Sequence, residues 1–265
     1  MSQIIEVAIP VPLHNTFDYI CNQKVNIGAR VKVPFGPKKV IGIVLSLKDK
    51  SEFDKLRAVE EVIDTEVLLS KEILDFLFWS ANYYHHPIGE VLTNALPKNL
   101  RIGRPAIIKK PTEINNAASP SIFKPTSEQQ NAVHEVLKYQ DSFHGFLLQG
   151  VTGSGKTEVY LNLTEKLLKD GKQVLVLVPE IGLTPQMIAR FEERIKERVV
   201  AVHSQLNETQ KQDAYLMARS GEAKVILGTR SAIFTPIPKL GLVIVDEEHD
   251  GSFKQQSSFR YSARD

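Results

Sequence analysis

A short glycine-rich segment, residues 150–157, constrains the fold of this chain more than any other feature. It reads GVTGSGKT and matches the pattern G-x-x-x-x-G-K-[ST] at every position. An apolar run at residues 143–148 precedes it, and an amphipathic pattern over Lys156–Lys169 follows it. Glycines at such a turn let backbone N–H groups converge on phosphate oxygens, and the N-terminus of the next helix adds partial positive charge. The segment predicts a nucleotide-binding domain, because a chance match in a glycine-rich turn would lack this context.

Two side chains of this segment are expected to take part in the chemistry. Lys156 can reach the β- and γ-phosphates, and the Thr157 hydroxyl can bind Mg²⁺. The segment residues expected to bind ATP are Gly150, Val151, Thr152, Gly153, Ser154, Gly155, Lys156 and Thr157.

An acidic motif, DEEH at residues 246–249, follows a second apolar run at residues 242–245. In an open α/β sheet the carboxyl end of a strand faces the ligand crevice. We expect Asp246 to hold Mg²⁺ and Glu247 to orient and deprotonate the attacking water, since phosphoryl transfer depends on positioning and charge neutralisation. His249 is a candidate link between the nucleotide site and neighbouring motifs. Alone, this motif would indicate a surface loop; the segment upstream favours a catalytic site of Lys156, Asp246 and Glu247.

The chain divides into three predicted parts. Residues 1–104 are β-rich, with a helix expected after Ser70, and residues 105–125 form a proline-containing linker. Residues 126–265 alternate apolar strands with amphipathic helices, which indicates a parallel sheet covered by helices. The predicted fold class is α/β, with a small β-rich domain before the domain that contains the glycine-rich phosphate-binding loop (the P-loop domain). In this domain we predict strands at 143–148, 173–178, 199–203, 224–227 and 242–245. We predict helices from 126 or 127 to 137 and at 156–169, 185–198 and 208–220.

Composition adds a few exclusions. The single cysteine, Cys21, excludes an internal disulfide and any zinc site built from cysteines. No apolar run reaches the roughly 20 residues of a membrane helix, and the first residues lack the pattern of a secretory signal. We therefore expect a cytoplasmic protein without a membrane partner. A formal charge of +2 neither requires nor excludes nucleic acid.

Several ordered motifs resemble one family. They read GVTGSGKTEVYLN from residue 150, VPEIGLTPQM from 178, GTRSAIFTPI from 228, VDEEHDGSFKQQS from 245 and RYSARD from 260. In the first half, TFDY from residue 16, VPFG from 33 and YYHHPIG from 83 complete the set. Together they are similar to PriA, the family of bacterial primosomal replication-restart helicases of superfamily 2. The resemblance implies a RecA-like P-loop domain and an N-terminal domain that binds the 3′ end of a DNA strand.

The resemblance also implies an activity and partners. The family uses ATP and Mg²⁺ to unwind DNA with 3′-to-5′ polarity at stalled forks and then initiates primosome assembly. Its partners are forked and single-stranded DNA, DNA 3′ ends, primosome proteins and single-strand binding protein. Full-length members hold zinc, for which this chain has no ligands. By position, Gln129 resembles the glutamine that reads adenine. The residues that resemble DNA-contacting positions are Phe17, Asp18, Gly36, Arg57, Arg230, Phe253, Lys254, Phe259, Arg260 and Tyr261.

The chain also departs from the family. Residues 101–125 are too few for the winged-helix domain that members generally carry there, and the second helicase lobe with its arginine is missing. We expect a truncated fragment that binds ATP weakly and hydrolyses it little, because such an arginine contributes about 10³–10⁵ in rate. Two alternatives stay open: a non-catalytic DNA-end-binding module with a vestigial nucleotide domain, and an unrelated P-loop enzyme such as a nucleotide kinase.

Overall fold

A computed structural model describes residues 2–109, 124–151, 153–180 and 185–265 of the chain. The expected α/β fold class is confirmed: a β-rich N-terminal part precedes a part with a parallel sheet. Among the helices of the described residues, none has the length and apolar character needed to cross a bilayer.

The N-terminal part is built on six strands: β1 Gln3–Ala8, β2 Phe17–Cys21, β3 Arg30–Phe35, β4 Lys38–Lys48, β5 Arg57–Ala58 and β6 Glu61–Val62. They form one sheet in the order β5-β2-β1-β4-β3-β6. Alternate residues of the central strands, such as Ile5 and Val7, are fully buried, as the period of two in a half-buried strand requires. The tight connection between β3 and β4 has Gly36 at φ +55°, which a two-residue hairpin needs at its first position.

A buried ion pair fastens this sheet to the residues that follow it. The Arg30 side chain is fully buried and contacts Asp64 through two hydrogen bonds, 2.8 Å from Nε to Oδ2 and 2.7 Å from Nη2 to Oδ1. Its third nitrogen, Nη1, donates to the carbonyl oxygens of Leu100 and Arg104 at 2.6 and 2.9 Å. Because each of its three nitrogens has an acceptor and Asp64 carries the opposite charge, the buried charge is compensated.

Three helices follow the sheet: α1 Lys71–Tyr83, α2 Ile88–Ala95 and α3 Lys98–Arg101. The first begins after Ser70 and ends before His85, as predicted, although the Ser70 side chain makes no capping bond. The other two helices were not predicted. Helix α2 lies so close to β1 that a side chain on Gly89 would meet the Ile9 carbonyl oxygen at 1.7 Å.

The second part contains strands β7 Gln173–Leu177, β8 Val199–Val202, β9 Val225–Gly228 and β10 Leu240–Val245, and helices α4 Ser127–Leu137, α5 Lys156–Lys169, α6 Pro185–Arg194 and α7 Glu208–Ser220. Its strands form a parallel sheet in the order β10-β7-β9-β8. Two predictions need correction. Helix α6 ends at Arg194 rather than residue 198, and residues 143–148 pair with no strand of the described residues. Phe143 and Leu147 of that run are 99% and 75% exposed, so they are not the buried strand that we expected.

The two parts share one continuous apolar core that includes residues from α1, α2, α7 and the two sheets. Polar contacts join them as well. Arg219 on α7 donates to the carbonyl oxygens of Val67 and Leu68, and the Asn99 side chain donates to the Glu208 carbonyl at 3.1 Å. The described start of the predicted linker, residues 105–109, lies along α7. The division at residues 104 and 126 stays a prediction.

Candidate nucleotide site and DNA interface

The glycine-rich segment turns directly into α5. Gly153 and Gly155 have φ of +82° and +86°, in the left-handed region that glycine adopts at little cost. Gly155 is the N-cap of α5, so the segment reaches the positive end of the helix. A Cβ on Gly155 would lie 2.4 Å from the Gln129 amide, and one on Gly150 would lie 2.5 Å from the Ser154 hydroxyl. A side chain at either position would displace one of these side-chain ends, and at Gly155 the left-handed backbone conformation also favours glycine.

Lys156 begins α5 and faces the acidic motif. Its Nζ lies 3.7 Å from Glu247 Oε1 and donates to the Gly150 carbonyl oxygen at 2.7 Å. Glu247 has φ of +47°, an uncommon conformation for a residue with a side chain and one that clusters at functional sites. The structure thus brings the lysine of the glycine-rich segment and a carboxylate of the acidic motif together, although 91 positions separate them in sequence.

Asp246 follows β10 and is held by two neighbours. Its N–H donates to the Leu177 carbonyl at the end of β7, 2.9 Å away, and its Oδ1 accepts a hydrogen bond from the Tyr160 hydroxyl at 3.0 Å. Burial and the charges of Asp246 and Glu247 raise the pKa of Tyr160, so its hydroxyl stays protonated and remains a donor. Sequence reasoning missed Tyr160; the signal was its place four residues after Lys156 on the same helix face.

The donor set fits a Mg²⁺-bound nucleotide. A phosphate group can bind the Lys156 ammonium group. The Mg²⁺ ion can bind the Thr157 hydroxyl, on the same turn, and the Asp246 carboxylate. Within the residues that the structure describes, no three His, Cys, Asp or Glu side chains form a metal cluster of their own.

Gln129 and His249 lie at the edges of this site. Gln129 forms a capping box with Thr126 at the start of α4, and its Nε2 approaches the Gly155 carbonyl at 3.4 Å. His249 is 77% exposed, with Nε2 3.9 Å from Glu247 Oε2. Gln129 thus lies beside the glycine-rich segment, and His249 lies beside Glu247 of the acidic motif.

An open groove of about 960 Å³ runs past these residues. Lys156, Asp246 and Glu247 line one side of it, and Trp79 and Tyr84 of the N-terminal part line another. The candidate nucleotide site therefore opens where the two parts of the molecule meet.

The aromatic residues near the end of the chain have a structural role in this conformation. Phe253, Phe259 and Tyr261 are 1%, 2% and 9% exposed, respectively. Phe259 packs on Tyr84 and His86 of the N-terminal part, with ring centroids 6.0 and 5.1 Å apart. Base stacking by these three rings, expected from the resemblance, would require the loop to open. Their two cationic neighbours, Lys254 and Arg260, are exposed.

Arg230 begins the short 3₁₀ helix after β9 and holds the same loop. Its Nη1 donates to the carbonyl oxygens of Ser252 and Lys254 at 2.9 and 3.1 Å. Arg264, which the sequence did not single out, donates to the Glu248 carbonyl at 3.1 Å and lies 3.2 Å from its carboxylate. The segment of residues 253–264 is thereby also linked, through Arg264, to Glu248 of the acidic motif.

Three of the four residues that are expected to bind a DNA 3′ end lie near one another. Arg57 donates to the Gly36 carbonyl at 3.0 Å, and the Phe17 ring packs edge-on against Phe35 at 5.2 Å. Asp18, the next residue on β2, points to the opposite face. There it accepts hydrogen bonds from Lys48 at 2.9 Å and Ser51 at 2.7 Å.

Three expectations fall on residues that lie outside the described ranges. These are residues 110–123 of the predicted linker, Thr152 in the glycine-rich segment and residues 181–184 in the second motif of the resemblance.

Comparison with known proteins gives two family matches. Residues 6–97 match the 3′ DNA-binding domain (3′BD) of PriA, and residues 126–264 match the DEAD/DEAH box helicase family. The second match alone covers more than half of the chain.

Curated relatives agree along the whole chain. The replication restart protein PriA of Haemophilus influenzae is 38% identical over 339 residues, which cover 99% of this chain and 46% of that protein. The proteins of the same name from Rickettsia conorii and Treponema pallidum are 35% and 33% identical; they cover 99% and 100% of this chain, which spans 40% and 41% of their lengths.

The alignments also differ in length. The Haemophilus alignment is longer than this chain of 265 residues, so that relative has an insertion, whereas the Rickettsia alignment is 265 residues long. The aligned part of the Rickettsia relative therefore has no long insertion relative to this chain. The chain spans less than half the length of these curated relatives. By these matches the chain belongs to the DEAD/DEAH box helicase family and is a relative of the PriA replication restart proteins.

Proposed function

We propose that this chain provides the DNA-end-binding part and the first ATP-binding lobe of an ATP-dependent 3′-to-5′ DNA helicase that acts in replication restart. The observation that carries the proposal is the approach of Lys156 to Glu247, 3.7 Å apart, at the carboxyl end of the parallel sheet. A lysine beside an acidic strand end, next to a glycine turn and a helix N-terminus, suits phosphoryl transfer better than any other common reaction.

Each residue of the site has a role in this proposal. The turn N–H groups and Lys156 bind the phosphates, and Glu247 orients and deprotonates the attacking water. Thr157 and Asp246 would hold Mg²⁺, which when bound supplies neutralising charge at the phosphates. Gln129, whose Nε2 lies 3.4 Å from the Gly155 carbonyl oxygen, would contact the base. His249 would link the site to the neighbouring motifs.

The DNA contacts are proposed on two surfaces. Phe17, Gly36 and Arg57 would bind a 3′ strand end by stacking and phosphate contact, with Asp18 acting from the adjoining face. Lys254 and Arg260 would contact the backbone of single-stranded DNA, and Arg230 would position their loop. Primosome proteins and single-strand binding protein are proposed partners by the same family membership.

The test replaces Lys156 with alanine and measures binding of a fluorescent ATP analogue together with DNA-stimulated ATP hydrolysis. We expect K156A to bind ATP roughly tenfold more weakly or worse, because a charge-assisted contact is lost. Lys166→Ala, which removes an exposed lysine near the other end of α5, is the matched control and should bind as the wild type does.

The outcomes separate the alternatives. Wild-type protein that binds forked DNA with a free 3′ end but no ATP would instead be a DNA-end-binding module. Equal ATP affinity in K156A and wild type would contradict the proposed site.

A further inference from the structure

Tyr160 lies one helical turn after Lys156 and is 7% exposed. Side chains four residues apart share one face of a helix, so both point toward the end of β10. Lys156 approaches Glu247 at 3.7 Å, and the Tyr160 hydroxyl donates to Asp246 Oδ1 at 3.0 Å. Helix α5 therefore contacts both successive carboxylates of the acidic motif, one with each side chain.

The hydrogen bond from the Tyr160 hydroxyl sets the orientation of the Asp246 carboxylate. The backbone of Asp246 is fixed by its hydrogen bond to Leu177, but that bond leaves the side chain free to rotate. The hydroxyl engages one carboxylate oxygen and fixes the rotation, so the other oxygen keeps a defined direction. A hydrogen bond to a charged acceptor is among the stronger ones in proteins and is suited to this task.

The Tyr160 ring is itself held in place. It belongs to the apolar cluster formed by α5 and the parallel sheet, which includes Val176 and Ile244. Thr157, the other expected Mg²⁺ ligand, lies on the same helix one turn earlier. A single rigid helix thus carries one expected ligand and the group that orients the second.

We propose that Tyr160 is a positioning residue, which orients the Asp246 carboxylate to receive the Mg²⁺ ion that accompanies the nucleotide. This inference rests on the proposed function and extends it to a residue outside the glycine-rich segment and the acidic motif. Partners that orient a metal-binding carboxylate typically change metal affinity by about 10–100-fold when they are removed.

The test is Tyr160→Phe in the full chain, which removes one oxygen atom and keeps the ring and its packing. Affinity for a fluorescent ATP analogue is measured in saturating MgCl₂ and in EDTA, and the Mg²⁺ concentration at half-maximal effect is determined. We expect Y160F to bind about tenfold more weakly with MgCl₂ and to equal the wild type in EDTA. The Mg²⁺ midpoint should rise correspondingly.

Tyr215→Phe is the matched control. Tyr215 is a buried tyrosine of the same part of the molecule, and its hydroxyl has no hydrogen-bond partner among the described residues. Y215F removes the same atom without removing a bond, so its affinity should be unchanged under both conditions. In an Asp246→Asn background, adding Y160F should have little further effect, because the two residues act through one contact.

Three results would overturn the proposal. Y160F could bind as the wild type does in MgCl₂, could lose affinity equally with and without Mg²⁺, or could add its full effect to that of D246N. The second result would indicate a packing role. A wild-type chain that binds no nucleotide under either condition would instead remove the proposed function, and with it this inference.

Discussion

Asp18 shows how a single carboxylate responds to its neighbours. Burial opposes its ionisation, but hydrogen bonds from Lys48 and Ser51 outweigh burial and hold the pKa of Asp18 below its ordinary value. A depressed pKa in the folded state means that the ionised carboxylate stabilises the fold above its unfolded pKa of roughly 4, and that this stability disappears as the pH falls through the folded pKa.

We therefore predict that Asp18→Asn lowers the free energy of unfolding by about 1 kcal/mol at neutral pH and that the difference shrinks steadily below about pH 4. Urea denaturation at a series of pH values measures it. Asp54→Asn, at an exposed carboxylate of the neighbouring loop, should show little effect at any pH. A difference between D18N and wild type that grows toward acid pH would contradict the assignment.

Single residues were predictable from sequence where a local pattern specifies them. The glycines and Lys156 follow from the turn and helix that their own neighbours form. Contacts between distant positions were not predictable: Lys48 is 30 residues from Asp18, and Tyr160 is 86 residues from Asp246. The buried state of Phe259 likewise depends on Tyr84 and His86, which lie in another part of the chain.

Among the elements, α2 depends on a close approach rather than on helix propensity. Gly89 lies where the helix meets the Ile9 carbonyl oxygen, with room for no side chain. Alanine would favour an isolated helix by about 1 kcal/mol, yet here its Cβ would force α2 away from β1. We predict that Gly89→Ala destabilises the protein by roughly 3 kcal/mol, as overpacking of a tight contact does.

Thermal or urea denaturation measures this effect. Gly145→Ala is the control, because a Cβ at Gly145 would meet no atom within 4 Å. A G89A variant as stable as the wild type would show that α2 shifts freely on the sheet.

Elements with strong terminal signals were predicted well, and others were not. Helix α7 has a capping box from Asn207 at its start and Gly221 in the left-handed conformation at its end, and its predicted bounds are those observed. Helix α2 is short and has no side-chain cap, so no local sequence signal predicts it. The apolar run at 143–148 has the composition of a strand, but a strand also requires a partner, and composition does not supply one.

In the whole molecule, the candidate nucleotide site is connected to the N-terminal part by a short series of contacts. Arg264 bonds to Glu248 in the acidic motif, and the neighbouring Asp265 accepts a hydrogen bond from Tyr84 at the end of α1, 2.8 Å away. Burial, together with Asp265, raises the pKa of Tyr84 to about 12, so the hydroxyl remains a donor. We expect a shift of the acidic motif to reach α1 through these contacts.

Trp79, the single tryptophan, offers a direct readout of this connection, since it lies on α1 beside Tyr84 and lines the same groove as Lys156. We predict that ATP binding changes Trp79 fluorescence and that Tyr84→Phe reduces the change without altering ATP affinity. Tyr83→Phe is the control, because the Tyr83 hydroxyl makes no hydrogen bond to the described residues, while its ring still stacks on Trp79. A fluorescence change in Y84F as large as in the wild type would show that the Tyr84 contact does not carry the response, and no change in the wild type would show that the two parts do not share it.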